Sequence, residues 1–336
     1  MAPLPYAALI RGSIPASFAW PLKFCTGTTL VAWVLSVITG NVSQVDRVWT
    51  FLPTIYTAYF ALLPLWPQEP PLLFWPYTPE TVHPLVGQRY SPRALLMLGL
   101  TFLWTCRLSY NTWRRGLFNL HDEDYRWQIV RGKIPNWLFH IFNFVFIAVI
   151  QNIILLLLGI PAHIAAFQQP AHLSTSDYVL GALAVADLVM EFVADNQQYS
   201  FQTYKHTGGF VTRGLWAWSR HPNFFCEQTF WVIITLFPLL APETPNLSLT
   251  PTSMTPLWPL MPALVLCSLF VSSTRFTESI SLSKYPEAYT AYQSRVSMFV
   301  PFLTPVWGLV LQLRGKKAQV DEMLFGQGPA KGGKDD

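Results

Sequence analysis

Residues 137–160 read WLFHIFNFVFIAVIQNIILLLLGI, and this stretch decides the class of fold. Only four polar side chains interrupt it, namely His140, Asn143, Gln151 and Asn152. A helix of about 20 mostly apolar residues crosses the hydrocarbon core of a bilayer, and this stretch is longer than that. It therefore predicts a transmembrane helix in an integral membrane protein.

The composition of the whole chain agrees with a membrane protein. Of its 336 residues, 51% are hydrophobic and only 12% are charged. A soluble domain has about 25% charged residues, so this chain has too few to cover a water-soluble globule. The net charge of +4 is small, and the basic residues lie in the predicted loops. A nucleic-acid partner is therefore not expected.

Outward from this stretch, six more apolar runs have the length of a membrane span. With residues 137–160 they predict an all-α, multi-pass bundle of about seven spans: 22–40, 48–66, 93–110, 137–160, 177–199, 223–241 and 257–274. We expect an N-terminal segment with the first span over 1–44 and a membrane domain over 45–303. A disordered cytosolic tail is expected over 315–336, where the composition is rich in glycine and lysine.

Basic residues lie in alternate predicted loops. Five occur between the third and fourth spans and more follow the seventh, whereas 161–176 and 242–256 contain none. Because cytoplasmic loops carry an excess of Lys and Arg, we expect the C-terminus in the cytosol and the N-terminus outside. The membrane is expected to be the endoplasmic reticulum. Of two glycosylation sequons, Asn41 then faces the cytosol and Asn246 the lumen, and the use of Asn246 stays open.

The cysteines and histidines predict no metal site. The four cysteines each lie in or beside an apolar run, without the spacing of metal ligands. His83, His163 and His172 fall in predicted luminal loops, and His140 stands alone on an apolar helix. We expect the cysteines to be small buried hydrophobic residues.

The fifth span carries a polar stripe. Glu191, Asp195, Gln198 and Gln202 recur at spacings of four, three and four, so they share one helical face, which Asp187 extends. Ionisable groups within a span usually face the bundle interior or a watery cavity. The stripe either lines a site or makes hydrogen bonds between helices.

The sixth span begins with a second polar group of residues. Asn223 and Glu227 share one face at a spacing of four, just after Pro222, which suits the first turn of a helix. Arg213, Arg220 and His221 precede them. Because a helix N-terminus attracts anions, this arrangement predicts a phosphate site, with Glu227 accepting hydrogen bonds from a ribose or an amide.

Three motifs in order carry a family resemblance over roughly residues 45–300. They are Arg115-Gly116…Glu123-Asp124-Tyr125-Arg126, then Gly214-Leu215-Trp216-x-Trp218-Ser219-Arg220-His221-Pro222-Asn223-Phe224-Phe225-x-Glu227, then Lys284-Tyr285-Pro286…Tyr292-Gln293-x-Arg295…Pro301. The chain resembles the steroid 5-alpha-reductase C-terminal domain superfamily, and most of all its DUF1295 branch.

The resemblance implies a bundle that grips NADPH from the cytosol and encloses a lipid-like substrate. It assigns cofactor contacts to Glu191, Asp195, Asn223 and Glu227, and phosphate contacts to Arg275 and Arg295. Arg213, Arg220 and His221 complete the expected cofactor site. The implied reaction is NADPH-dependent reduction of a carbon–carbon double bond in a lipid or steroid-like molecule. The expected partners are membrane lipids and that substrate, with the oligomeric state open.

The sequence departs from the reductases in ways that keep other functions open. Steroid reductases set a Glu in the second helix and a Tyr in the third against the substrate carbonyl. The nearest catalytic candidates here are Asp46 and Tyr110, with Tyr56 a third. The triplet from Arg220 to Pro222 also occurs in isoprenylcysteine methyltransferases, which bind S-adenosylmethionine. A lipid methyltransferase and a non-catalytic protein on the same frame are therefore alternatives.

Overall fold

The computed structural model describes residues 14–86, 89–204, 209–242 and 259–326. In these ranges all regular elements are helical, which confirms the all-α class for the part described. The α-helices are α1 Ala19–Thr39, α2 Gln44–Trp49, α3 Leu52–Ala61, α4 His83–Val86, α5 Pro92–Arg114, α6 Tyr125–Lys133, α7 Asn136–Phe142, α8 Gln151–Leu157, α9 Ile160–Gln168, α10 Thr175–Tyr204, α11 Pro222–Leu239, α12 Met261–Lys284, α13 Pro286–Arg295, α14 Thr304–Leu313 and α15 Lys317–Asp321.

Among the described residues, three helical stretches are long and apolar enough to cross a membrane. They are Ala16–Thr39, Asn136–Gln168 and Met261–Lys284, which coincide with the first, fourth and seventh predicted spans. The second predicted span is broken at Phe51, between α2 and α3. Pro53 lies in the first turn of α3, a position that favours the start of a new helix.

The fourth stretch continues further than the sequence predicted. A π-helical segment, Asn143–Ile150, joins α7 to α8, and α9 follows after a short break. The expectation that residues 161–176 form a loop is therefore wrong for their first half, because the apolar run beyond Pro161 sustains another helix. His163 is buried in α9, with its Nε2 2.8 Å from the Ser17 hydroxyl.

The chain divides into two compact units that interleave along the sequence. The first contains the chain up to Val185 together with Trp231–Leu266. The second contains Ala186–Phe230 together with the chain from Cys267 onward.

Aromatic packing forms the core of the first unit. Helix α3 packs against α5 and α9. Tyr56, Tyr59 and Phe60 of α3 are fully buried, and Trp104 of α5 meets Trp231 edge to face at 5.0 Å between ring centroids. Aromatic pairs of this kind add stabilisation beyond the area they bury.

A fully buried ion pair also lies in the first unit. Arg93 donates from Nε to Asp177 Oδ1 at 2.7 Å and from Nη2 to Oδ2 at 3.0 Å. Its Nη1 donates to Gln168, and the backbone and hydroxyl of Ser174 donate to Asp177. Buried charges are tolerated when paired and hydrogen-bonded in this way. The charge of Asp177, unusual in a predicted span, is thereby explained.

A polar network ties residues 40–47 to the segment 119–131. Asn41 Nδ2 donates to the carbonyls of Leu120 and Asp122, and Glu123 accepts from the backbone of Val42. Arg131 forms an ion pair with Glu123 at 2.8 Å. The Glu-Asp-Tyr-Arg motif therefore has a structural role. The Asn41 amide, only 7% exposed, is engaged in this network, whereas Asn246 lies outside the described residues.

The second unit gathers its C-terminal helices around tyrosines. Tyr289, Tyr292 and Val296 form a buried cluster. Leu324 packs on this cluster from the π-helical segment Glu322–Gly326, which follows α15. Part of the expected tail is thus helical and packed, and residues 327–336 lie outside the described ranges.

Candidate functional site

Three buried carboxylates lie on the part of helix α10 that belongs to the second unit. Asp187, Glu191 and Asp195 are 4%, 2% and 2% exposed. Their spacing of four residues places them on one face, as the sequence predicted. Burial of several acidic groups on one helix face is costly and usually serves a site.

Asn223 brings the start of α11 to this face. Its Nδ2 donates to Asp195 Oδ1 at 3.2 Å. Its amide oxygen Oδ1 is buried, and no partner for it lies within hydrogen-bond distance among the described residues. A buried acceptor without a donor is energetically unfavourable, so this atom is suited to accept a hydrogen bond from a ligand.

Glu227 lies one helical turn beyond Asn223. It is 5% exposed and shares the Asn223 face of α11. The structure thus joins Asp195 and Asn223 directly and buries Glu227 beside Asn223 on the same helix face. These are three of the residues to which the resemblance assigned cofactor contacts.

Arg220 and His221 have partners within the protein. Arg220 forms a buried ion pair with Glu278 of α12, at 2.7 Å from Nε to Oε1 and 3.2 Å from Nη2 to Oε2. Its Nη1 donates to the carbonyls of Gln293 and Val296. His221 Nε2 lies 3.0 Å from Glu278 Oε1, and Gln293 also donates to this carboxylate.

Burial lowers the pKa of His221, although the charge of Glu278 partly offsets this effect. The imidazole is therefore neutral at pH 7, and a neutral Nε2–H is the donor to Glu278. Arg220, His221 and Glu278 together fix the turn that precedes α11.

A glycine and two backbone contacts also fix that turn. Gly214 has a φ of +66°, and a Cβ there would lie 2.5 Å from Gln197 Nε2. Gln197 accepts instead from the backbone of Leu215 at 2.9 Å. The backbone nitrogens of Arg220 and His221 donate to the carbonyls of Ser297 and Met298. Residues 214–221 therefore form hydrogen bonds with α10 and with residues 297–298 before α11 begins.

The other three arginines differ in their surroundings. Arg213 and Arg275 are exposed. Arg295 Nε donates to Asp321 of α15 at 2.6 Å, an ion pair that is partly exposed. Its guanidinium also crosses Gly308 of α14, where a Cβ would lie 3.2 Å from Nη1.

The three catalytic candidates all lie in the first unit. Asp46 of α2 accepts from the indole of Trp127 at 2.9 Å. Tyr56 of α3 is fully buried, and its hydroxyl lies beside the Cys25 thiol and the Thr28 hydroxyl. Tyr110 of α5 is 45% exposed and its ring meets the Arg114 guanidinium at 5.1 Å. Of the two tyrosines, only Tyr56 is buried.

Asp46→Asn is expected to raise the unfolding temperature at pH 7 and to leave it unchanged near pH 4. Burial raises the pKa of Asp46, and the hydrogen bond from Trp127 offsets only part of this. The folded protein therefore binds the proton more tightly than the unfolded chain does. Protonation of Asp46 therefore stabilises the folded protein. This stabilisation is complete below the pKa of Asp46 in the unfolded chain, and it is lost as pH rises through the pKa of Asp46 in the folded protein.

The measurement is thermal unfolding of both proteins across this pH range. The exposed neighbour Asp122 provides the matched control, Asp122→Asn. A wild-type protein as stable as Asp46→Asn at pH 7 would contradict this account of Asp46.

Sequence reasoning missed two residues of the second unit. Glu278 is the acid that pairs with Arg220, and Thr274, one turn earlier, has a buried hydroxyl without a partner among the described residues. The signal for Glu278 was present, because it is the sole acidic residue in the apolar run Met261–Lys284. Thr274 carried no comparable signal.

Comparisons with known proteins match most of the chain. The model of the family described as "Protein of unknown function (DUF1295)" matches residues 32–296. The chain is similar to the uncharacterized protein C594.04c of Schizosaccharomyces pombe, with 34% identity over 305 residues, which cover 84% of this chain and 78% of that protein. No solved structure matches the chain significantly.

The matched region contains α10, the turn before α11, and Glu278, so the family covers most of the candidate site. The chain belongs to the DUF1295 family.

Proposed function

We propose that the second unit holds a nucleotide cofactor, and that the protein is an NADPH-dependent reductase of a carbon–carbon double bond in a lipid or steroid-like substrate. The observation that carries this proposal is the buried amide oxygen of Asn223, which lies beside Asp195 and accepts no hydrogen bond from any residue that the structure describes. This oxygen and the carboxylate of Glu227 are buried hydrogen-bond acceptors in the first two turns of α11.

The residues present fit such a cofactor. Ribose hydroxyls and a carboxamide are donors, and Asp195, Asn223 and Glu227 offer the acceptors. Phosphates need cations, and Arg213 and Arg275 are exposed. The remaining predicted contacts, Glu191 on the α10 face and Arg295, complete the proposed set.

Arg220 and His221 have a supporting role in this proposal. Their donors are directed to Glu278 and to backbone carbonyls, so they hold the turn that places Asn223. This leaves the phosphate contacts to Arg213, Arg275 and Arg295.

NADPH, when bound, supplies a hydride for the reduction of an activated double bond. The chain's own part is to orient the cofactor and to exclude water. A proton donor must also polarise the substrate carbonyl. We assign that role to the Tyr56 hydroxyl, because it is fully buried whereas Tyr110 is exposed.

We propose that the protein is a seven-span, reductase-like bundle in the endoplasmic reticulum with a cytosolic C-terminus. Three apolar helices support a membrane location. The alternation of basic and Lys/Arg-free loops supports this orientation.

One observation favours a second candidate, an S-adenosylmethionine-dependent lipid methyltransferase. The candidate site contains four buried acidic side chains, namely Asp187, Glu191, Asp195 and Glu227. An acidic site suits the positive sulfonium and ammonium groups of S-adenosylmethionine through Coulomb attraction. The reductase and this candidate differ in what they transfer to the lipid.

Incubation of the purified protein with a total lipid extract and deuterium-labelled NADPH tests the proposed reaction. We expect a lipid product that gains two hydrogens, one of them the transferred deuteride, and much less of it in a parallel reaction with Glu227→Gln at an NADPH concentration that does not saturate the variant. Transfer of a labelled methyl group from S-adenosylmethionine, with no deuterium incorporated, would contradict the reductase and support the second candidate.

Asp321→Asn is expected to tighten NADPH binding by about 1.4- to fivefold. Asp321 forms an ion pair with Arg295 that is partly exposed, and such pairs contribute about 0.2–1 kcal/mol. Its loss frees the guanidinium for a phosphate. The dissociation constant is measured by fluorescence titration, with the exposed neighbour Glu322→Gln as control. Equal affinity in wild type and Asp321→Asn would remove Arg295 from the proposed site.

A further inference from the structure

Helix α14 is apolar on both of its faces. Its sequence, TPVWGLVLQL, has only Thr304 and Gln312 as polar residues. Thr304, Gly308 and Leu311 recur at spacings of four and three, and all three are buried. They form the inner face, which packs against α13 and α15.

The outer face of α14 exposes large apolar side chains. Leu309 is 56% exposed and Leu313 is 80% exposed, and Phe302 in the turn before the helix is 81% exposed. Val306 and Val310 extend the same surface. An apolar surface of this extent marks contact with a membrane or a protein.

The length of the helix excludes a membrane span. The ten residues of α14 measure about 15 Å, and the 3-10 turn Pro301–Leu303 before it adds about 6 Å, so the whole stretch is still shorter than the roughly 30 Å hydrocarbon core. The chain before and after α14 therefore stays on one side of the bilayer. Directly after the helix come Arg314, Lys316 and Lys317, and the first two are exposed.

We propose that α14 is a membrane-surface anchor. Its outer face lies at the boundary between headgroups and acyl chains, and Arg314, Lys316 and Lys317 contact anionic phospholipid headgroups. Apolar side chains flanked by basic residues are the features of helices that bind this boundary. The inference goes beyond the proposed function and does not depend on any cofactor.

The anchor has a structural consequence for the second unit. Gly308 on its inner face is in close contact with the Arg295 guanidinium. A membrane-bound α14 therefore holds α13, and with it Arg295, at the membrane surface.

The test places an environment-sensitive fluorophore on the outer face of the full chain. Cys106 and Cys267, the two cysteines that are not buried, are first changed to serine. Leu309→Cys is then labelled and reconstituted in phospholipid vesicles. The exposed position Gln319 in α15 provides the control, Gln319→Cys. Leu313→Cys is a second outer-face variant in case the first is poorly folded.

We expect the label at position 309 to be quenched by lipids that carry a nitroxide near the headgroup. Quenching should be weaker with a nitroxide at the end of the acyl chain and absent with aqueous iodide. The label at position 319 should respond to iodide. Quenching at 309 by iodide, or stronger quenching by the deep nitroxide, would overturn the proposal. Resistance to all three quenchers would also overturn it and would indicate cover by a second copy of the chain.

Charge neutralisation tests the headgroup preference. Nitroxide-labelled phosphatidylserine should quench position 309 roughly twofold more than labelled phosphatidylcholine at the same mole fraction, because each basic residue near the surface attracts anionic lipid. The triple variant Arg314→Gln, Lys316→Gln and Lys317→Gln should lose this excess. An excess that persists in the triple variant, or none in the wild type, would contradict the anionic-lipid contact.

Discussion

Glu278→Ala should lower the free energy of unfolding of the second unit by about 3–5 kcal/mol. The substitution leaves the buried Arg220 guanidinium without its carboxylate, and an uncompensated buried charge costs this much. It also removes the acceptor for His221 and Gln293. Thermal unfolding in detergent, followed by tryptophan fluorescence, measures the effect.

Glu287→Ala is the matched control, because Glu287 lies exposed in the first turn of α13. It should shift the unfolding temperature little, as expected of a surface substitution. The double variant Arg220→Met with Glu278→Met should recover much of the lost stability, since an apolar pair can replace a buried ion pair. If Glu278→Ala were as stable as the control, Glu278 would not hold the turn before α11.

Glu227→Gln should weaken NADPH binding by about 10- to 100-fold. Hydrogen bonds to a charged group contribute about 1.5–3 kcal/mol, and the amide keeps the shape of the side chain while removing the charge. Because the packing volume is unchanged, the protein should remain folded. Equilibrium binding measured by NADPH fluorescence gives the affinity, and the unfolding profile reports the fold.

The control for the cofactor experiment is Glu287→Gln, the same chemical change at an exposed site. Asn223→Ala should weaken binding as well, because it removes the buried amide oxygen. Wild-type affinity in both Glu227→Gln and Asn223→Ala would exclude the start of α11 from the site.

The sequence was most informative where the determinants are local. An apolar run such as residues 137–160 predicts a helix and a membrane span from length alone, and the structure has a helical stretch there that is long and apolar enough to cross a membrane. Helical periodicity likewise placed Asp187, Glu191 and Asp195 on one face, and all three are buried together on α10. The DUF1295 assignment followed from motifs of contiguous residues, and the family match confirms it.

Features that depend on tertiary contacts could not be predicted in this way. Arg220 was predicted to bind phosphate, whereas in the structure it pairs with Glu278. That pairing could not be predicted, because Glu278 lies 58 residues away in the sequence. The break at Phe51 and the added helix α9 were not predicted, because the spans and loops were assigned from length and composition alone. The catalytic candidates came from the resemblance alone, and only burial separates Tyr56 from the exposed Tyr110.

The most direct test of the nucleotide site is the thermal stabilisation of the purified, full-length protein by free cofactors. Ligands that bind the folded state alone raise its stability in proportion to the logarithm of their concentration over Kd. We expect a rise in unfolding temperature with NADPH that is much smaller in Glu227→Gln at the same NADPH concentration, and none with S-adenosylhomocysteine. A rise with S-adenosylhomocysteine and none with NADPH would exclude NADPH as the cofactor.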